Sequence, residues 1–580
     1  METPRERVLE ERLAGQPWEA TGSKRLRERS SAVARALRDA GIARGDRVGL
    51  LSENRVDWLV CDYGILFAGA VSVPIYATLA DDQLAFIVRD AEIRLLFAQT
   101  QAQAQRIRAA CGAAVRVITF EGDHEDSLRT FEASGAVRAA DDAAESREAA
   151  AATLPSDLAV LIYTSGTTGE PKGVMLTHGN LASNVVDAFG PLRNELGPGD
   201  VALSVLPFAH IYEHTDALGY LYLGLTHVVS HPDRLLDDIK KARPGIVAFV
   251  PRIFERVLTG IRARASADGG LNARLVPWAL SAGHDQAHAR AEGRSPSTLA
   301  SVRYVLARLL VLRKVKAALG LDRVSQVISG SAPLQRDTAL TFDGMGIPVC
   351  EGYGLTETSP VITVNRLGSI RYGSVGRPIP NVEVRIADDG EILVRGPNVM
   401  RGYYRREAEA PFVDDGWFRT GDIGRLDADG YLWILDRKNE LFKTAGGKWV
   451  SPARVEAAIK RSPYVGQAMV IGSGRPHPAV LIVPNWDVVR RDCALPEHLT
   501  TEDIAAHETV RSRISTEVLR ATADLAPYEQ VRRIALLPRD LTLQDDELSP
   551  TLKVKRRVVE ARYAKLIDAA CTGAAAVAEA

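Results

Sequence analysis

The densest chemistry in the chain lies at Thr164–Gly173, which reads TSGTTGEPKG. Four hydroxyl side chains (Thr164, Ser165, Thr167 and Thr168), three glycines (Gly166, Gly169 and Gly173) and Lys172 fall within ten residues. Glycines let backbone N–H groups converge on an anion, hydroxyls add donors, and a lysine adds charge. Such a set suits a polyphosphate. The pattern G-x-x-x-x-G-K-[ST] does not fit, so the loop is not a Walker A motif. No G-x-S-x-G elbow, H-E-x-x-H helix or G-x-G-x-x-G fingerprint competes with it. His507-Glu508 begins like a zinc helix, but Arg511 stands at the second ligand position.

Other segments carry weaker signals. Val327–Leu334 reads VISGSAPL, Glu351–Thr358 reads EGYGLTET, and Thr420-Gly421-Asp422, Asp436-Arg437 and Thr551–Arg556 (TLKVKR) follow. Leu206–His214 reads LPFAHIYEH, and Phe442–Pro452 reads FKTAGGKWVSP. Each alone has an ordinary explanation. A lone Tyr353 packs in a core, a lone Asp422 closes a turn, a lone His210 sits satisfied in the interior, and Lys553 lies in a basic run that reads as a solvated face.

Taken in order and spacing, these segments resemble the adenylate-forming superfamily of acyl-CoA synthetases, luciferases and peptide-synthetase adenylation domains. The resemblance runs from about Lys24 to Arg557, and YTSGTTGEPKGV is its signature loop. LPFAHIYEH, FKTAGGKWVSP and RYGSVGRPIP (Arg371–Pro380) resemble the long-chain fatty acyl-CoA synthetase subgroup. The resemblance implies ATP-dependent activation of a fatty acid through an acyl-adenylate, transfer to coenzyme A, and Mg²⁺ as cofactor. It places Thr164, Ser165, Gly166, Thr167, Thr168, Gly169 and Lys172 on the phosphates. The backbone of Gly330, Ser331, Ala332 and Pro333 lines the adenine, the Tyr353 ring lies against the base, and Gly352, Gly354 and Thr356 also bind the nucleotide. Thr164 and Glu357 hold the metal, a hard carboxylate oxygen suiting Mg²⁺. Asp422 takes the ribose hydroxyls, Arg437 contacts ribose or phosphate, and Lys443 reaches the nucleotide. Lys553 is the catalytic lysine, alongside Lys172 and His210. His210 and His214 border the acyl pocket, Asn439 is the hinge, and Gly446, Gly447 and Trp449 enter for the CoA step. Asn439 departs from the Lys or Asp common in relatives, and His214 from their Arg or aromatic gate. Two other readings stay open: a fatty acyl-AMP ligase that loads a carrier protein, and a non-catalytic nucleotide- or acyl-binding protein.

The elements that must position these residues are expected to be α/β. Basic and apolar positions alternate at helical spacing over about 24–42, and Asp46–Leu51 and Leu158–Tyr163 are short apolar runs that read as buried strands. Alternating signals over the first 250 residues suggest layered parallel α/β units. Turn pairs at Pro380-Asn381, Asp389-Gly390, Asp415-Gly416 and Asp429-Gly430 suggest a β-rich subdomain over 375–431. Residues 139–152, rich in Ala and acids, read as a surface connection. The expected division is a large domain over 1–437, a hinge at 438–440 and a small, mobile α+β lid over 441–580. Apolar positions between Val302 and Leu319 recur at helical spacing, which reads as a core-facing helix with a solvated basic side. The alternative reading is a peripheral membrane contact.

Composition bounds the rest. With Lys+Arg 72, Asp+Glu 73 and a net charge of -1, no global field attracts nucleic acid. Five scattered cysteines without a C-x-x-C pair argue against a disulfide framework and for a reducing cytoplasm. No apolar run reaches the roughly 18 residues that a membrane span needs, and the charged N-terminus has no secretory h-region. Chain length of the acid and oligomeric state leave no mark on the sequence.

Overall fold

The computed structural model describes all residues except 1–4, 14–16, 113, 137–141, 166–170, 268–269, 407–410, 543, 549–553 and 573–580. The chain forms two compact units. One comprises residues 1–385, 393–419 and 426–433, and the other 386–392, 420–425 and 434–580. The division runs through the strands Glu391–Arg395 and Trp417–Leu426.

Two sheets organise the first unit. In the seven-stranded sheet, strands Arg47–Leu51, Val71–Ile75, Leu95–Ala98 and Arg116–Thr119 run parallel, and Leu158–Ser165 joins them beside Val71–Ile75. Their side chains are apolar on both faces because helices cover both, as parallel sheets require. Helix Ser23–Asp39 packs on helix Val56–Phe67, burying Leu26, Val33, Leu37, Trp58 and Leu59. On the other face Leu84, Ile87, Ala104 and Ile107 close the core. Each such side chain, fully removed from water, contributes about 1.5–3 kcal/mol when it is Leu, Ile or Val.

The nine-stranded sheet has a parallel centre formed by Val201–Ser204, Thr226–Val229, Ile246–Phe249, Gln326–Ser329 and Val349–Gly354. Its strands all end at one edge. From that edge leave the loop to His210, the Gly330–Leu334 loop and the Gly352–Glu357 segment. Open parallel sheets bind ligands at this edge, where carboxyl ends of strands diverge.

The second unit is α+β, as expected for the segment after Arg437. Strands Val465–Ile471, Ala479–Pro484 and Arg533–Leu536 form a three-stranded sheet. Helices Pro452–Ile459 and Glu508–Thr522 cover one face through Val455, Ile459, Val510, Ile514 and Val518. Helix Ala564–Thr572 packs on the other through Leu566 and Ile567.

The surface connection read over 139–152 takes the form of a helix at Asp142–Ala152, in keeping with the high helix propensity of alanine. One expectation needs correcting. The 301–319 segment is helical but interrupted: Thr298–Ala307 and Arg313–Ala318 flank a π-helical turn at Arg308–Leu312. Only Ala307, Val311 and Leu312 of this stretch are buried. Val302, Val305, Leu306 and Leu309, assigned to the core by periodicity, face solvent. The core needs one narrow stripe here, and the smaller Ala307 with the π-turn residues fills it.

Candidate active site

The signature loop closes a β-hairpin. Leu158–Ser165 pairs antiparallel with Pro171–Thr177, and the register sets Thr164 opposite Lys172 and Ser165 opposite Pro171. Gly166, Thr167, Thr168 and Gly169 lie outside the described residues, as does Lys553. Helix His178–Phe189 follows directly, its N-terminus closed by a reciprocal cap between Thr177 and Asn180. Asn180 also donates to the carbonyls of Pro397 and Val399, at 2.7 and 2.8 Å. The hairpin is thus fixed to the segment that leads into Gly402-Tyr403, the strand paired with its outer edge.

Tyr403 joins two of the expected residues. Its hydroxyl donates to Glu357 Oε1 at 2.9 Å. The Lys172 ammonium lies 5.3 Å from the centroid of its ring. Glu357 itself sits in the 3₁₀ turn Thr356–Thr358, and its carbonyl accepts the Met400 N–H at 2.8 Å. Asn184 and Asn398 both donate to the Val361 carbonyl, at 2.8 and 3.0 Å, bracing the chain just beyond that turn. Lys172 and Glu357 are therefore brought together at Tyr403, a residue outside the motifs, with Thr164 opposite Lys172 in the hairpin. A tyrosine so far downstream, in no recognised motif, leaves no spacing signal.

At the edge of the other sheet, the Gly330–Leu334 loop and the Gly352–Thr356 segment run side by side, since their parent strands are parallel neighbours. Ser331 adopts φ 69°, a conformation that non-glycine residues rarely take and that clusters at functional sites. Gly354 has no room for a side chain: a Cβ there would lie 1.8 Å from the Pro360 carbonyl oxygen. Tyr353, half-buried between these segments, pairs with Thr363 on the adjacent strand. Glu351 is a second residue the sequence did not reveal. It is buried, and its Oε1 accepts the Leu334 N–H at 3.0 Å, tying the two loops together. Burial pushes its carboxyl up to about 8, with the Leu334 N–H acting against the shift.

His210 caps helix Ile211–Leu223, its Nδ1 accepting the Tyr212 N–H at 3.1 Å. With Nδ1 an acceptor, the neutral ring carries its proton on Nε2. Tyr212 links this cap to the Gly330–Leu334 loop, because a Cβ on Gly330 would stand 3.0 Å from its ring. His214, one turn on, is only 1% exposed. Its Nε2 meets Asp62 Oδ2 at 3.0 Å, and the Asp62 carboxylate also accepts from Ser72 Oγ at 2.6 Å. His214 thus stands in a buried polar chain against Trp58, apart from His210.

In the second unit, Thr420-Gly421-Asp422 is held by several contacts. Thr420 donates to the Ile392 carbonyl at 2.8 Å and accepts the Asp422 N–H at 3.1 Å. The Gly421 N–H goes to Glu391 Oε1 at 3.0 Å, and Lys438 Nζ binds the same carboxylate at 2.8 Å. Asp422 is buried and meets Arg437 Nε at 3.1 Å, so the two expected ribose-side residues form one ion pair. Asn439 is exposed in the turn after Arg437, where Glu440 N–H returns to the Arg437 carbonyl. Lys443, Gly446, Gly447 and Trp449 share one small hairpin, with Lys443 opposite Trp449 and its ammonium 4.7 Å from the indole centroid. The chain on either side of Lys553 is anchored by a bridge between Leu548 and Val554 and by the Lys555 N–H to the Glu547 carbonyl. Arg556 follows, donating to the Val470 carbonyl at 2.9 Å and pairing with Glu440 and Glu456.

The loops at the parallel sheet edge and the Gly/Thr hairpin belong to one compact unit. Residues 4–404 match the AMP-binding enzyme family, and residues 440–575 match the AMP-binding enzyme C-terminal domain. The chain belongs to this family. Among curated relatives, the long-chain-fatty-acid–CoA ligase FadD15 of Mycobacterium bovis is 35% identical over 97% of this chain and 94% of its own. Long chain acyl-CoA synthetase 7, peroxisomal, of Arabidopsis thaliana is 33% identical over 93% of this chain and 79% of its own. Among solved structures, ATP-bound MatB from Rhodopseudomonas palustris superimposes with a TM-score of 0.71 at 26% identity, covering 97% of both chains.

Proposed function

We propose that the chain is a long-chain fatty acid–CoA ligase that forms AMP and pyrophosphate. The grouping of Lys172, Tyr403 and Glu357 beside Thr164 carries the reading, with the long-chain ligase relatives supporting the acid and the thiol. A carboxylate resists nucleophiles, and joining it to AMP supplies a leaving group. The fatty acid carboxylate attacks the α-phosphorus of ATP, the bond to pyrophosphate breaks, and an acyl-adenylate forms. Lys172 and the loop N–H groups meet the charge that builds on the phosphoryl oxygens, and such donors are worth about 3–4 kcal/mol each. Lys553 supplies a further positive charge in this step. Glu357 and Thr164 carry the hard oxygen donors that would hold Mg²⁺. Bound there, it would neutralise phosphate charge. Tyr353 stacks on adenine, and Asp422 with Arg437 receives the ribose. His210, the cap of helix Ile211–Leu223, stands at the head of the acyl pocket, while His214 one turn on is held by Asp62. The CoA thiol then attacks the acyl carbonyl and AMP leaves. In that step the hinge is 438–440, where Asn439 turns, Lys553 withdraws, and Lys443, Gly446, Gly447 and Trp449 act. The location is cytoplasmic.

Lys553→Ala is expected to cripple adenylation while sparing thioester formation from a supplied acyl-adenylate. Equal loss in both half-reactions would remove that role. Fatty-acid-dependent ATP–pyrophosphate exchange tests the first half-reaction itself; its absence with every acid from short to long would favour a non-catalytic binding protein.

A further inference from the structure

Six of the large apolar side chains that stand most exposed among the described residues crowd into one helical stretch: Leu299, Val302, Val305, Leu306, Leu309 and Leu310. Their exposure runs from 47% to 79%. On a helical projection they cover one continuous face of residues 298–310. The opposite face, with Tyr304, Ala307 and Val311, packs against the core. A helix apolar on both sides is normally enclosed on both sides. Here the outer side is open, and Leu271, 71% exposed at the start of the preceding helix, lies outside as well.

The charge pattern selects what covers it. From Ser295 to Leu321 the chain holds five basic residues, Arg303, Arg308, Arg313, Lys314 and Lys316, and no Asp or Glu. Two of these serve the fold: Arg303 pairs with Asp285 at 3.2 Å, and Lys316 donates to the Gly346 carbonyl at 2.6 Å. Arg308, Arg313 and Lys314 remain exposed, and no described residue forms an ion pair with them. Among the described residues no helix is long and apolar enough to cross a membrane. An outward apolar face with basic residues around it has the build of an element that lies in the plane of an anionic bilayer, its aliphatic side chains among the acyl chains and its cations at the headgroups.

We infer that residues 298–314 form a docking surface for anionic membranes, on which the enzyme lies peripherally. A second copy of the chain would bring Arg308, Arg313 and Lys314 toward their own counterparts, whereas a phosphate-bearing surface complements them. The inference stands apart from the activity, because binding is read without turnover.

The test is sedimentation of the full chain with vesicles of phosphatidylcholine, alone and with phosphatidylglycerol added. The chain is expected to pellet with the anionic vesicles, less with the neutral ones, and less again as salt rises. Joint Leu309→Asp and Leu310→Asp should cut the bound fraction at least about tenfold. Joint Arg308→Glu and Arg313→Glu should erase the preference for phosphatidylglycerol. Both pairs replace exposed side chains, so circular dichroism and the melting temperature should match the parent; if the aspartates unsettle the helix, the charge reversal decides alone. Failure of the parent chain to bind anionic vesicles, or binding unchanged in the charge reversal, overturns the inference. So does a parent chain that sediments as a dimer and becomes a monomer on Leu309→Asp, since a second copy then covers the face.

Discussion

Tyr403 does little by itself; its effect comes from the two side chains it holds in register. Its hydroxyl fixes one oxygen of Glu357, and its ring faces the Lys172 ammonium. Hydrogen bonds to charged groups are worth about 1.5–3 kcal/mol. Tyr403→Phe is therefore expected to slow fatty-acid-dependent ATP–pyrophosphate exchange by about ten- to a hundredfold and to raise the Mg²⁺ concentration needed for half-maximal rate. An unchanged rate and Mg²⁺ requirement would show that the contact is only structural. Glu351 makes a different prediction. Its folded carboxyl is raised from 4.5 to about 8, so between those values the folded chain binds more protons than the unfolded one. Stability contributed by the protonated group is present below about pH 4.5 and is lost as pH rises through about 8. Glu351→Gln keeps the oxygen that accepts the Leu334 N–H and removes the titration. The variant should hold its melting temperature better than the parent as pH rises from 5 toward 9, a range set by that shift and worth a few kcal/mol in order of magnitude. Parallel curves for the two proteins would refute this.

At the scale of elements, the hairpin and the crossing of two loops at the sheet edge set the site. Thr177 closes the helix that follows the hairpin, and Thr177→Ala is expected to cost about 1 kcal/mol of stability by denaturant unfolding. Gly354→Ala is expected to cost more. The added Cβ would fall 1.8 Å from the Pro360 carbonyl, so the chain from Tyr353 to Glu357 must shift and adenylation should fall with stability. Retained nucleotide affinity in that variant would argue against Tyr353 as the base platform. Motif segments were legible because their chemistry is local: the apolar run Leu158–Tyr163 marks a strand, and the Gly/Thr run marks its turn. Strand Arg47–Leu51 was readable for the same reason. What was not legible depends on partners distant in the chain. Glu351 looks like any polar residue at a strand end until the Leu334 N–H meets it. His210 and His214 look alike in sequence, yet one caps a helix and the other is spent on Asp62. Helical periodicity located the helical stretch at 301–319 but not its inward face, because both sides are apolar and a π-turn shifts the phase.

At the scale of the whole molecule, the proposed ligase needs one chain to run two half-reactions with different groups. Asn439 stands exposed in a turn between the Asp422–Arg437 pair and the Lys443–Trp449 hairpin. Proline there fixes φ and restricts Lys438 before it. Asn439→Pro should therefore slow thioester formation more than adenylation, as read by separate single-turnover assays; equal effects would detach the turn from the second step. The central claim is the overall reaction, and AMP release from ATP and Mg²⁺ with fatty acids of graded length, with and without coenzyme A, measures it directly. The account predicts turnover that requires CoA, is strongest with a long acid, and yields the acyl-CoA thioester by mass. Adenylate that accumulates regardless of CoA, or no AMP with any acid, would contradict it.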